Sequence, residues 1–266
     1  MTETYDVIII GAGPAGLTAG LYTGRARLKT LILEKATFGG QAATTDLIEN
    51  YPGFPEGVGG FQLMELMKQQ AVEFGAELRE ITPVATIEVE GENRIIRTED
   101  DSFTAKAIII ASGSEPKALG IPGEEELRGR GVSYCATCDG AFYRDKVVAV
   151  IGGGNSAVEE AIFLTRFAGK VYIVHRRDEL RADKILQERA AANDKIEIIW
   201  DSHLKKILGT GKVEEIVLEN KNTGERGSRP VDGVFFYIGT VPNTVFCGGI
   251  LDMDSRDFII TDERLQ

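Results

Sequence analysis

Apolar and polar positions along this chain repeat the same order of elements twice. YDVIII at residues 5–10 is a continuous apolar strand, LTAGLYTGRA behind it predicts a helix, and KTLILE at 29–34 returns as a second strand. The succession recurs as VVAVI at 147–151, the helical AVEEAIFLTRFA, and KVYIV at 170–174. Weaker patterns lie in the first half. TPVATIEVE, RIIRTED and DSFTAKAI alternate apolar and polar residues, which predicts an antiparallel meander covering the sheet. FQLMELMKQQAVEFG, from Phe61 to Gly75, predicts a packing helix. AIIIASGSEP (Ala107 to Pro116) and VFFYIGTVP (Val234 to Pro242) each run from an apolar strand into Gly-x-x-Pro. They mark the crossings between two domains. The first is expected to hold residues 1–114 and 243–266, with the second, residues 115–242, inserted into it.

Both strand-to-helix junctions are rich in glycine. GAGPAG spans Gly11, Ala12, Gly13, Pro14, Ala15 and Gly16, and fits G-x-G-x-x-G. Gly11 allows the tight turn, Gly13 lets backbone approach a pyrophosphate, and Gly16 lets helix and strand pack closely. The helix start offers free N–H groups and a positive dipole end to phosphate. Glu34, at the end of the next strand, can accept hydrogen bonds from ribose hydroxyls. GGGNSA (Gly152 to Ala157) repeats the arrangement. His175 then falls as far beyond Gly152 as Glu34 falls beyond Gly11, and it opens HRRDELRA with Arg176, Arg177 and Arg181. An acid at that place repels a 2′-phosphate, whereas arginines bind one. The first site therefore suits FAD or NAD and the second NADP(H). The expected fold is α/β, with two Rossmann-like dinucleotide-binding domains, three-layered, each a parallel sheet plus an antiparallel meander.

Charge and cysteine usage narrow the partners. A net charge of −11 argues against general affinity for nucleic acid or anionic membrane. No apolar run approaches the ~20 residues that cross a bilayer. MTETYDVIII enters a strand without a basic leader, so no signal peptide is expected. A chain of 266 residues can bury a core without staples, and three cysteines are too few for a disulfide framework. A cytoplasmic protein is the simplest reading, and there a Cys-x-x-Cys pair signals redox or metal chemistry. Cys135 and Cys138 form that pair. Zinc would need two further ligands, and Cys247, His175 and His203 are distant and unpaired, so no metal is expected. Cys247 reads as an inert structural thiol. Asp139 either exchanges a proton with a neighbouring thiolate, or caps a helix or solvates a loop. The three arginines have an alternative as a solvated helix face, against which their place after a strand argues.

GAGPAG, FGGQ with IENYPGF, CATCDG, GGGNSAVEEA and HRRDELRA occur in that order. Together they resemble the low-molecular-weight thioredoxin reductases of the bacterial and archaeal type, over the chain from Tyr5 to Gln266. The most specific element is Cys-Ala-Thr-Cys-Asp lying between the two nucleotide motifs, because related flavoproteins place theirs close behind the first. The resemblance implies an NADPH-dependent flavoprotein that reduces a protein disulfide, with thioredoxin as partner, working as a homodimer. It implies Cys138 as the thiol next to flavin, Cys135 as the one that attacks the partner, and Asp139 as the proton carrier. It also implies alternating domain orientations about hinges near 114–118 and 240–243. FAD contacts would come from the Gly11–Gly16 loop, Glu34, Lys35, Gly40, Gln41 and Asn50, and from the turn of Ala111, Ser112 and Gly113. NADPH contacts would come from Gly153, Gly154, Asn155, Ser156 and Ala157, and from His175, Arg176, Arg177 and Arg181.

The family's pattern continues beyond the segment represented here by DFIITDERLQ, through a strand ending in Ala-Gly-Asp and a long helix that hold part of the flavin. The sequence ends at Gln266 without them. Two readings therefore stand at this point: the reductase itself, or a flavin-poor NADPH-binding fragment without turnover. Within the enzyme class, a dithiol oxidase or a ferredoxin- or flavin-fed relative are the neighbours. The arginine cluster argues against a relative that has abandoned NADPH.

Overall fold

β1 (Glu3–Ile10) is continuously apolar from Val7 to Ile10 because it lies inside a sheet covered on both faces. In the computed structural model, which describes residues 3–265, it leads through α1 (Pro14–Arg25) to β2 (Thr30–Leu33). β1 and β2 pair in parallel from Val7 opposite Thr30 to Ile10 opposite Leu33. α2 (Gly60–Glu73) precedes β3 (Glu77–Arg79), β4 (Thr86–Glu90), β5 (Asn93–Arg97), β6 (Ser102–Ile110) and β7 (Ser114–Pro116). The six-stranded sheet runs β3-β2-β1-β6-β5-β4. Side-chain alternation along β1 divides its residues between two layers. Val7 and Ile9 pack with Leu17 of α1 and with Met64 and Ala71 of α2. Ile8 and Ile10 pack with Ile87 and Ile96 of the β4–β5 hairpin.

One strand departs from the sequence pattern. DSFTAKAI and AIIIASG were expected to belong to separate strands, yet they form one, β6. It pairs antiparallel with β5, Ile96 opposite Phe103, and parallel with β1, from Tyr5 opposite Ala105 to Ile10 opposite Ile110. Phe103 and Ala105 are buried in the hairpin-side core, so Thr104 between them marks a strand with one covered face, not a chain break.

The second unit repeats the plan. β8 (Val132–Ser133) and the short α3 (Ala136–Asp139) precede β9 (Val147–Gly152), α4 (Asn155–Leu164), β10 (Lys170–Val174), α5 (Lys184–Ala191) and β11 (Ile196–Ile199). β12 (Ser202–Leu208), β13 (Glu215–Asn220) and β14 (Arg226–Pro230) form an antiparallel meander. β15 (Gly233–Tyr237) returns to the parallel sheet, whose order is β11-β10-β9-β15-β8. Val148, Val150, Ile173 and Phe235 meet Val158, Ala161 and Leu164 of α4. Ala149, Ile151, Val234 and Phe236 meet Leu204, Ile207, Ile216 and Leu218 of the meander. Each such Val, Leu, Ile or Phe side chain, fully buried, contributes roughly 1.5–3 kcal/mol. Exposed ion pairs such as Arg97 with Glu88 are screened by solvent and add little. The apolar layers therefore hold each unit.

The two units are Met1–Glu115 with Val241–Gln266, and Pro116–Thr240. β16 (Thr240–Pro242) pairs with β7, so the two crossing segments lie side by side. Beyond them a short turn at Val245–Cys247 packs Phe246 on the hairpin-side core and buries Cys247, whose thiol is pushed up by that burial.

Candidate functional site

In the first unit the glycine loop is shaped by close backbone approach. Gly11 has φ +107°, and a Cβ there would collide with the carbonyl oxygen of Ala111. A Cβ at Gly16 would collide with the carbonyl of Gly11. Gly13 differs, because nothing lies within 4 Å of its Cβ position. α1 starts there, with Pro14 and Ala15 in its first turn and no side-chain cap. The free N–H groups of its first turn, from Ala15 onward, therefore have no side-chain cap, and the space beside Gly13 is open. Gly40 backs this space, its Cβ position 3.4 Å from the Gly13 Cα.

Glu34 is buried beside the loop. Its Oε2 accepts from the Ala12 amide at 2.8 Å and its Oε1 from the Ala36 amide at 3.1 Å. A carboxylate has about four acceptor sites, so lone pairs remain for a ribose. The Ala111–Gly113 turn is held by two bonds that the sequence did not reveal. Ser112 Oγ donates to the Asn243 carbonyl at 2.7 Å, and Asn243 Nδ2 donates to the Ser112 carbonyl at 3.0 Å. The structure thus brings together the Gly11–Gly16 loop, Glu34, Gly40 and the turn. Lys35 is exposed and ion-paired with Glu115. Gln41 is exposed and donates to the Ser114 carbonyl. Asn50 is exposed in the loop closed by the Ile48–Val58 bridge.

The second unit has a matching loop. A Cβ at Gly152 would collide with the Tyr237 carbonyl, and one at Gly153 with the His175 ring. Nothing lies within 4 Å of the Gly154 Cβ position, and α4 begins there with Asn155 and Ser156, again without a side-chain cap. Ala157 is buried against β9. His175 is buried, and its Nε2 has no hydrogen-bond partner. Burial pushes its pKa down, and Arg181 and Arg177 push the same way, so the ring is neutral over the physiological range. Arg176, Arg177 and Arg181 are exposed on the loop after β10, not on a helix face. Arg181 N donates to the Gly153 carbonyl at 2.7 Å, tying the two loops together.

The cysteines lie in this same unit. Cys135 and Cys138 are joined in a disulfide, with their Cα atoms 5.3 Å apart. Cys135 caps α3, its Sγ accepting from the Cys138 amide at 3.2 Å. Ala136 N donates to the Tyr237 hydroxyl at 2.8 Å, and burial pushes the Tyr237 phenol up. Tyr237 therefore abuts the nucleotide loop with its carbonyl and holds the disulfide turn with its hydroxyl. Cys138 is exposed and Cys135 half-buried, while the Thr137 hydroxyl is buried without a partner. The side chain of Asp139 forms no capping bond, which removes the helix-cap alternative.

Two uncapped helix starts over open glycine loops fit two nucleotide pyrophosphates. The buried carboxylate at one and the three free arginines at the other fit a bare ribose and a 2′-phosphate. With a disulfide beside the second loop, these features define a dinucleotide-dependent disulfide oxidoreductase. The chain belongs to the pyridine nucleotide-disulphide oxidoreductase family, whose pattern it matches over residues 5–266. Within it, the likeness is to thioredoxin reductases. The chain is 48% identical over 268 residues to that of Bacillus subtilis, covering 99% of this chain and 83% of the relative. It is 47% identical over 260 residues to that of Mycolicibacterium smegmatis, covering 98% and 83%. The crystal structure of Lactococcus lactis thioredoxin reductase in its FR conformation superposes with a TM-score of 0.96 at 48% identity, covering 98% of this chain and 86% of that one.

Proposed function

We propose that this chain is an NADPH-dependent, FAD-containing reductase of a protein disulfide, with thioredoxin or a thioredoxin-like protein as its partner. The observation that carries the reading is the Cys135–Cys138 disulfide in the unit that also bears the arginine loop. Residues 1–114 with 243–266 take FAD, and residues 115–242 take NADPH. At the first loop the α1 start binds pyrophosphate and Glu34 binds ribose. At the second the α4 start binds pyrophosphate, and Arg176, Arg177 and Arg181 surround the 2′-phosphate. FAD, when bound, supplies the two-electron link between a hydride donor and a disulfide.

The cysteines do the rest. In the reduced pair, Cys135 Sγ attacks one sulfur of the partner disulfide. A mixed disulfide forms, and the partner's other sulfur leaves as a thiolate and is protonated. Cys138 then attacks Cys135 Sγ, which restores the Cys135–Cys138 bond and releases the partner as a dithiol. The balance is NADPH, one proton and a disulfide in; NADP⁺ and a dithiol out. The Cys138 amide, already directed at Cys135 Sγ, is a donor that favours the thiolate. Asp139, next in the chain to Cys138, carries the accompanying proton.

The protein acts in the cytoplasm as a homodimer. The family likeness supports this. No described helix is long and apolar enough to cross a membrane. An anaerobic titration tests the function. NADPH bleaches the flavin absorbance, and oxidised thioredoxin restores it. A protein that binds NADPH but neither retains nor takes up FAD refutes the reading. So does one that consumes oxygen with small thiols and no NADPH, which is a dithiol oxidase.

A further inference from the structure

The segment that bears the three arginines has no regular structure of its own. From residue 175 to residue 183 it runs as turns and coil between β10 and α5. Besides the Arg181 amide on Gly153, a reciprocal pair of hydrogen bonds between Asn155 and Asp183 fastens it. Asn155 Nδ2 donates to Asp183 Oδ2 at 2.8 Å, and the Asp183 amide donates to Asn155 Oδ1 at 2.8 Å. Asn155 is the first residue of α4, directly after the open position at Gly154. Asp183 is the N-cap residue of α5, where an aspartate ordinarily binds its own helix's free amides. It makes no such bond, and its carboxylate reaches back to Asn155 instead. The aspartate forgoes a local helix cap for a bond that crosses two loops.

We propose that Asn155 and Asp183 form a latch that fixes the arginine loop relative to the start of α4, and so sets the preference for a 2′-phosphorylated dinucleotide. The inference rests on the reading of this loop pair as the NADPH site. A 2′-phosphorylated dinucleotide engages two anion sites at once, one at the helix start and one at the arginines. Their spacing must be right before the ligand arrives, or binding bears the entropy of ordering the loop. NADH uses only the first site and is indifferent to the second. Asn155 and Asp183 are positioning residues, so their loss changes discrimination between the two nucleotides.

Calorimetric titration of the intact chain with NADPH and with NADH tests this through exchange of the paired groups. Asn155→Asp removes the Nδ2 donor and sets two carboxylates face to face, which strains the latch and leaves the Asp183 amide as its one remaining donor. Asp183→Asn keeps an oxygen acceptor for Asn155 Nδ2 and leaves the latch closed. The double exchange, Asn155→Asp with Asp183→Asn, restores both hydrogen bonds at unchanged net charge. The NADPH-to-NADH affinity ratio is expected to fall about five- to tenfold in Asp183→Ala and in Asn155→Asp. It should stay at or above the starting value in Asp183→Asn and recover in the double exchange. An unchanged ratio in Asp183→Ala, or no recovery in the double exchange, overturns the latch. A parent protein that does not prefer NADPH overturns the underlying site reading instead, so the two failures are distinct.

Discussion

Gly13 and Gly16 belong to one loop, yet alanine at the two positions is expected to separate binding from folding. At Gly13 the backbone has φ −75° and ψ −175°, an extended conformation open to any residue, and the new methyl meets no atom within 4 Å. Two small effects oppose each other there. Alanine restricts the unfolded chain and stabilises by ~0.4–1 kcal/mol. Alanine is also a poorer N-cap than glycine and costs about as much. The net change stays within about 1 kcal/mol, a shift in Tm of no more than about 4 °C. At Gly16 the methyl would overlap a backbone carbonyl, which cannot rotate away, so α1 must move off β1. Overpacking of that kind costs ~1–3 kcal/mol. Thermal unfolding and FAD titration of the two variants supply the assay. Gly13→Ala should unfold like the parent but bind FAD at least about tenfold more weakly, since the methyl occupies the open space beside the start of α1 where a pyrophosphate would approach. Gly16→Ala should be measurably less stable. A Gly13→Ala protein that keeps full FAD affinity would show that phosphate does not lie there. One as unstable as Gly16→Ala would show that the loop is not open.

Cys138→Ser should leave flavin bleaching by NADPH intact and abolish thioredoxin reduction, measured in parallel; retained turnover would exclude Cys138 from the reaction. Arg176→Ala with Arg177→Ala should weaken NADPH binding by ~1–3 kcal/mol per lost charge-assisted contact and leave NADH unchanged, as read by titration. His175 predicts a pH dependence. Its folded pKa lies below its ordinary value, first through burial and then through Arg181 and Arg177. Between that folded value and about 6.5 the unfolded chain holds the extra proton, so stability is full above about pH 6.5 and declines as pH falls through this window. His175→Gln should flatten this part of the profile in urea unfolding, and an unaltered slope would mean that the ring is not held neutral.

The nucleotide loops were legible in the sequence because their demands are local. Gly11 needs a positive φ, and its neighbour Gly16 is set by the turn it makes. What stayed hidden depends on partners far along the chain. Asn155 stands in a slot that reads as a nucleotide contact, but its side chain is spent on Asp183. The Ser112–Asn243 pair joins residues on either side of the inserted unit, and no local pattern marks it. β6 was divided in the sequence reading because alternation signals one exposed face and continuity signals two covered ones. A strand covered on one face at Phe103 and Ala105 and on both faces from Ile108 to Ile110 shows both signals in turn.

The two motifs also differ where the sequence alone invites equating them. Ala157 stands where the first loop has Gly16. In the first loop, helix and strand approach so closely that a methyl at Gly16 strikes the Gly11 carbonyl. In the second, the Ala157 methyl is accommodated and lies 2.8 Å from where a Cβ on Gly152 would stand. The requirement for a small residue has passed to the other member of the pair, so Gly152 is barred from alanine by Ala157 as well as by the Tyr237 carbonyl. Tyr237 also accepts from the Ala136 amide. A substitution at Gly152 would therefore reach the disulfide turn through Tyr237, whereas one at Gly11 would press on the Ala111 turn. A glycine pattern identifies where backbone comes close; which side chain bears the consequence depends on the strand packed behind it.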